Sequence, residues 1–211
     1  LFFYLGYLSQ STTFDYNSLC EKNNIELIFY SMAGSDFYLN EKGNYDEYYF
    51  FLKNFLAGIG YEYYDFNLCK EKYIQFQDSD FSDDNHLNKA GVAKYTPFFC
   101  DFFMGKLDLN DLFYSSYKEK MDNQADKIFG LILNEREDKK SLDIIAVANH
   151  VSMDRITYDV YLEKNGESFL LYEKTNNSNV IYPNAETGLL RVVSYMDGVK
   201  QTTASRYFTA L

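Results

Sequence analysis

The sequence predicts two architectures in one chain: an α/β unit with a parallel sheet, then an all-β sandwich. Three observations carry that expectation. Helical and buried-strand patterns alternate up to about residue 120, which implies βαβ crossovers. Beyond that point, short period-two runs follow one another between turn signals, the pattern of antiparallel strands. With 211 residues, 46% of them hydrophobic and 24% charged, the chain can bury a real core and is not built for long-range disorder.

In the first part, Ser11-Thr12-Thr13 offers a helix N-cap, followed at helical spacing by Tyr16, Leu19 and Cys20 until Asn23-Asn24. Ile25 to Met32 is a short, apolar, β-branched run, which reads as a buried strand. The turn Ala33-Gly34-Ser35-Asp36 follows, then an aromatic helix from Tyr45 to Ala57. Gly58-Ile59-Gly60 breaks that helix and leads into a second strand, Tyr61 to Phe66. A polar loop holding Asp78, Asp80, Asp83 and Asp84 precedes a closing helix, Asn88 to Met104. In that helix Val92, Tyr95, Phe98, Phe99 and Phe102 define the apolar face.

Residues 107–126 read as a charged connector. Seven short strands are predicted after it: Ile128–Leu133, Leu142–Val147, Ile156–Leu162, Ser168–Glu173, Val180–Tyr182, Leu189–Tyr195 and Ala204–Thr209. Asn165-Gly166 and Asp197-Gly198 are hairpin signals between them. Seven strands of this length fit a sandwich of the immunoglobulin or fibronectin type, although the Cys…Trp…Cys hallmark is absent.

Charge and cysteine usage exclude several functions. Lys and Arg number 20 against 31 Asp and Glu, a net charge of -11, which repels nucleic-acid backbones. Cys20, Cys69 and Cys100 contain no C-x-x-C pair and each lies in an apolar stretch, the setting of small buried hydrophobes. Two histidines without Cys–His clustering do not make a structural zinc site. No apolar run reaches the ~18 residues of a membrane span. Leu1 to Leu8 lacks the basic region and cleavage site of a signal peptide, and the chain lacks an initiator Met. No P-loop or G-x-G-x-x-G is present, so no cofactor is expected.

The chemistry-bearing stretch is Asp80-Phe81-Ser82-Asp83-Asp84-Asn85-His86-Leu87-Asn88-Lys89-Ala90-Gly91. Asp83 stands three residues before His86 in a polar loop, at the start of an amphipathic helix. At that spacing the carboxylate reaches the imidazole, fixes its tautomer and stabilises the imidazolium formed when His86 takes a proton. The plainer reading is a helix cap beside solvated acids.

The segment Asp83-x-x-His86-Leu87-Asn88-x-x-Gly91 resembles the closing block of the SGNH (GDSL-type) hydrolase superfamily. The preceding stretches NNIELIFYSM and GIGYEYYDFN, with a helix between them, are similar to the final strands of such domains. The resemblance covers roughly residues 12–105 and lies nearest to proteins related to D-alanyl transfer and alginate acetylation. It implies a flavodoxin-like α/β fold, with His86 and Asp83 completing a triad with a serine near the start of the domain. The opening Gly-Asp-Ser block and the blocks supplying oxyanion-hole donors are absent from this sequence. Gly34-Ser35-Asp36 has the letters in a different order, after the penultimate strand, and Ser35 reads foremost as a turn serine.

Other candidates have simpler explanations. His150 falls between two predicted strands, as a loop or partly buried sandwich residue. The Asp78, Asp80, Asp83 and Asp84 cluster lacks the ligand spacing and Gly of an EF-hand and reads as a solvated loop. Most of the rings at 45–66 and 95–103 are expected in the core.

The expected organisation is therefore residues 1–106 as the C-terminal portion of an SGNH-like α/β domain, 107–126 as a connector, and 127–211 as the sandwich. The resemblance implies an esterase or O-acyltransferase acting on acylated carbohydrate or cell-envelope esters, and points to the cell envelope or exterior. The absent serine block implies a missing N-terminal segment and little activity in these residues alone, and an uncovered two-strand sheet would invite an oligomer partner. The alternative is a non-catalytic binding or structural module presenting the sandwich.

Overall fold

A computed structural model describes residues 2–4, 18–137, 141–181 and 188–208. The chain divides into two compact units, Leu1–Asn123 and Gln124–Leu211. The proposed Ser11–Thr13 cap, Tyr16, Tyr182 and Thr209 lie outside the described residues.

The first unit is built on a three-stranded parallel sheet, in the order β1 (Phe2–Tyr4), β2 (Ile28–Ser31) and β3 (Tyr63–Asp65). Both strands expected from the sequence are present, and β1 adds a third, so the expected two-strand sheet is corrected. Parallel strands need long crossovers. The one between β2 and β3 holds α1 (Asp36–Lys42) and α2 (Tyr45–Gly58). Helix α1 is absent from the sequence reading. It starts at Ser35, whose side chain accepts from the Tyr38 N–H. Among the described residues the parallel sheet ends at three strands, short of a full flavodoxin-like core.

Strand periodicity divides the rings between two faces. Tyr63, on one face, meets Tyr49 of α2. Tyr30 and Tyr64, on the other, meet Phe99 and Phe102 of α3 (Lys89–Phe103). Phe66 lies at the centre of the second cluster, with Tyr30, Tyr95, Phe98, Phe99, Phe102 and Phe113 around it at 5.1–5.9 Å between ring centroids. Edge-to-face pairs dominate, as ring quadrupoles favour. Val92 is 49% exposed and so does not belong to the α3 core face. Cys20 and Cys69 are buried as expected, but Cys100 is exposed.

Residues 107–123 are not a free connector. They form α4 (Leu109–Leu112) and α5 (Tyr117–Asn123), and Leu112 is wholly buried in the Phe66 cluster. Asp46 of α2 accepts the Tyr117 and Lys118 N–H groups at 2.6 and 3.0 Å, satisfying donors that a helix start leaves open.

Among the described residues the second unit contains two antiparallel sheets with seven strands. One has the order β4 (Lys127–Glu135), β5 (Ser141–Asn149), β8 (Asn179–Ile181). The other runs β10 (Val199–Phe208), β9 (Gly188–Met196), β6 (Ile156–Lys164), β7 (Glu167–Thr175). Leu131, Leu133, Leu142 and Ile144 of the first sheet share one core with Ile156, Val160, Leu190 and Val192 of the second. The arrangement is sandwich-like. Both hairpin signals form as expected. Asn165-Gly166 and Asp197-Gly198 have φ of 52° and 81°, and 51° and 82°, the positive values a two-residue turn between twisted strands requires.

Candidate functional site

The D-x-x-H loop is closed before its side chains are considered. The Ser82 N–H donates to the His86 carbonyl at 2.7 Å, and Phe81 bridges Leu87 in antiparallel fashion. Asn88 joins the loop to α3. Its side-chain Oδ1 accepts from the Ala90 and Gly91 N–H groups, and its side-chain Nδ2 donates to the Ser79 and Phe81 carbonyls. Gly91 is demanded by packing, because a Cβ there would run into the Asp80 carbonyl and meet Leu87 Cδ2 at 2.8 Å.

Within this frame His86 Nδ1 lies 2.9 Å from each Asp83 carboxylate oxygen. Asp83 Oδ1 also accepts the backbone N–H groups of Asn85 and His86 at 3.0 and 2.8 Å. The Asn85 N–H above all, then the imidazole, holds the Asp83 carboxyl below its ordinary value. The carboxylate is therefore ionised, fixed, and aimed at one ring nitrogen. The His86 side chain is 72% exposed, and its Nε2 bonds no described residue.

The acidic loop is not uniformly solvated. Asp80 is 5% exposed, paired with Lys94 and accepting the Gln77 N–H at 2.8 Å. Among the described residues no group of three or more His, Cys, Asp or Glu is placed to hold a metal ion. His150 is exposed at the end of β5 with φ of 53°.

The loop sits at the carboxyl edge of the parallel strands. Ser35, four residues past β2, is its anchor: the Ser35 hydroxyl and N–H both donate to the Asp84 carbonyl, at 2.5 and 3.2 Å. With its Oγ also capping α1, Ser35 is 8% exposed and serves as a structural turn residue. Beside this junction opens a cleft of about 430 Å³. Gly34 and Tyr38 form part of its wall, with Lys42, Asn44 and Tyr48 further along and Asn85 from the His86 loop. Ligands of open α/β sheets bind outside the carboxyl ends of strands.

Below the cleft lies a buried polar network. The Tyr45 hydroxyl donates to Asp65 Oδ2 at 2.7 Å, and the Asn67 amide donates to the Tyr45 oxygen and to Asp65 Oδ1. Asn67 Oδ1 in turn accepts the Gly34 N–H at 2.7 Å, tying the end of β3 to the turn after β2. Burial pushes the Asp65 carboxyl up to about 6, against the opposing pull of Tyr45, Asn67 and the Lys120 charge. Lys120 of α5 reaches Asp36 Oδ1 at 2.7 Å and the Asn67 carbonyl at 3.0 Å.

Sequence spacing found the His86–Asp83 pair but not the cleft or the network beneath it. Their sequence signal is slight: a glycine, Gly34, and an asparagine, Asn67, within three residues of the strand ends. No protein-family model matches the chain, and neither a curated protein nor a solved structure matches it. No helix among the described residues is long and apolar enough to cross a membrane.

Proposed function

We propose that the first unit carries the base half of an SGNH-type esterase or O-acyltransferase site acting on acylated carbohydrate or cell-envelope esters. The observation that carries this reading is the Asp83–His86 contact of 2.9 Å with Nε2 left open, beside a cleft at the carboxyl edge of parallel strands. In that mechanism His86 Nε2 takes the proton of a serine hydroxyl as the oxygen attacks the ester carbonyl. It then returns the proton to the departing alcohol. Asp83 keeps the Nδ1 proton in place and offsets the imidazolium charge. Ser35, the described serine at the carboxyl edge beside the loop, is engaged as a helix cap, so the proposal assigns the nucleophile to a different serine. The immunoglobulin-like reading of the second unit is part of the same proposal.

The test is hydrolysis of 4-nitrophenyl acetate by the full natural gene product, compared with its His86→Ala and Asp83→Asn variants. Loss of roughly 10³-fold or more in kcat for His86→Ala is expected, as for removal of a triad base. Because His86 is exposed, its thermal midpoint should not move. Unchanged turnover in both variants would sink the enzyme reading. It would leave the alternative, a non-catalytic module presenting the sandwich.

A further inference from the structure

The cleft beside the His86 loop contains two kinds of polar group. Ser31 Oγ, the Tyr45 hydroxyl and the Asn67 amide are paired with one another's neighbours: Ser31 with Tyr63 at 2.5 Å, Tyr45 with Asp65, Asn67 with Tyr45 and Asp65. Four further groups pair with no described residue. The Lys42 ammonium, the side-chain amides of Asn44 and Asn85, and the Tyr38 hydroxyl all line the cleft, and none makes a hydrogen bond or ion pair to a described residue. Asn44 occupies the N-cap position of α2 without using its side chain as a cap. Lys42 rests its ammonium over the Tyr38 ring at 4.9 Å from the centroid.

Charge gives these groups a direction. The chain carries 31 acids against 20 bases, yet among the described residues no carboxylate lines the cleft and the one ionic group there is the Lys42 cation. Donors that find no partner inside the fold select a ligand rich in acceptors. An uncompensated ammonium among them selects a negative one. The tyrosine rings of Tyr38 and Tyr48 supply an apolar wall for a ring-shaped body.

We propose that this cleft is a binding subsite for an anionic saccharide unit, bearing a carboxylate or a phosphate, with Lys42 meeting the charge and Asn44 and Asn85 meeting ring hydroxyls. The proposal deepens the ester-chemistry reading by naming the substrate's charge, and rests on that reading for the cleft being where substrate lies. Its test measures binding without turnover, so the two can fail separately.

The experiment is a backbone-amide NMR titration of the chain with three probes: glucuronic acid, glucose 6-phosphate and glucose, each at low ionic strength and again in 0.5 M salt. The expected result is a salt-sensitive shift of the Gly34, Asn44 and Asn85 amides by one or both acids. Affinity should exceed that for glucose by about tenfold, the scale of one charge-assisted contact. The stronger of the two acids identifies carboxylate or phosphate as the recognised group. In Lys42→Gln, which keeps the stem and removes the charge, that tenfold preference should vanish while amides elsewhere hold their native positions. Glucose binding as tightly as both acids, or a preference surviving in Lys42→Gln, would overturn the charge assignment and leave the cleft as a neutral subsite. No shift at these amides with any probe would overturn the subsite itself, whatever the His86→Ala turnover result.

Discussion

Each unit of this chain holds a buried aspartate on a strand, Asp65 in the first and Asp159 in the second, and these two are treated in opposite ways. Asp65 ends a parallel strand in the first unit, is 2% exposed, and has its carboxyl pushed up to about 6 because burial outweighs its bonds to Tyr45 and Asn67. Asp159 lies mid-strand in β6 of the second unit and is 6% exposed. Burial there also pushes upward, but the Lys174 N–H, the Tyr195 hydroxyl and the Lys174 charge prevail and hold it below its ordinary value. The cores differ similarly. The first is a cluster of edge-to-face rings around Phe66, and the second is aliphatic and alternating. In an antiparallel sheet a polar side chain can be clasped by both neighbouring strands. At the ends of parallel strands polar groups converge on a cleft instead, where incomplete compensation leaves chemistry available.

The largest effect should come from the two cores. Phe66→Ala should cost about 3–5 kcal/mol and Leu190→Ala about 2–5 kcal/mol, as large-to-small substitutions of fully packed residues do. Hydrogen exchange should show protection lost in Leu1–Asn123 for the first and in Gln124–Leu211 for the second. Equal loss in both units from Phe66→Ala would break the comparison. Next in size is Gly91→Ala, whose methyl group collides with rigid backbone at Asp80. A cost of about 3 kcal/mol is expected in urea unfolding, and a neutral result would mean the loop–helix junction is not closely packed.

The carboxylates supply the pH test. The fold favours protonated Asp65, so between its unfolded value of 3.8 and about 6 the native chain holds more protons than the unfolded one. Stability should therefore fall as pH rises through that window, by no more than about 3 kcal/mol. Asp159 works the other way, because its contribution is present above the unfolded carboxylate value and is lost as pH falls through its lowered folded value. Denaturant midpoints from pH 3 to 7 should show Asp65→Asn removing the decline towards neutrality and Asp159→Asn removing part of the loss in acid. A profile unmoved by Asp65→Asn would contradict the desolvation account. The smallest effect belongs to Ser35→Ala, about 1 kcal/mol from a lost helix cap. Its retention of any ester hydrolysis by the full gene product would sharpen the assignment of Ser35 to structure. Abolition of turnover with an intact fold would overturn that assignment and make Ser35 the nucleophile.

What the sequence determined by itself is what neighbours in the chain decide. The helix from Tyr45, the seven later strands and the positive φ at Asn165-Gly166 and Asp197-Gly198 follow from periodicity and turn chemistry. The Asp83–His86 contact is equally local, spanning three residues. Tertiary structure decided the rest. The third strand Phe2–Tyr4 exists through its pairing with Ile28–Tyr30. Ser35 became an anchor because Asp84 comes to it across 49 positions, and residues 107–123 joined the first unit through Asp46, Asp36 and Asn67. Burial of Asp80 and Asp65, and exposure of Val92 and Cys100, likewise depend on what packs against them. Contacts between distant residues leave no periodic trace in a single chain, because the pattern that spaces side chains along a helix or strand is set by rise and turn alone. Which distant group arrives to cover or pair them is settled only when the elements pack.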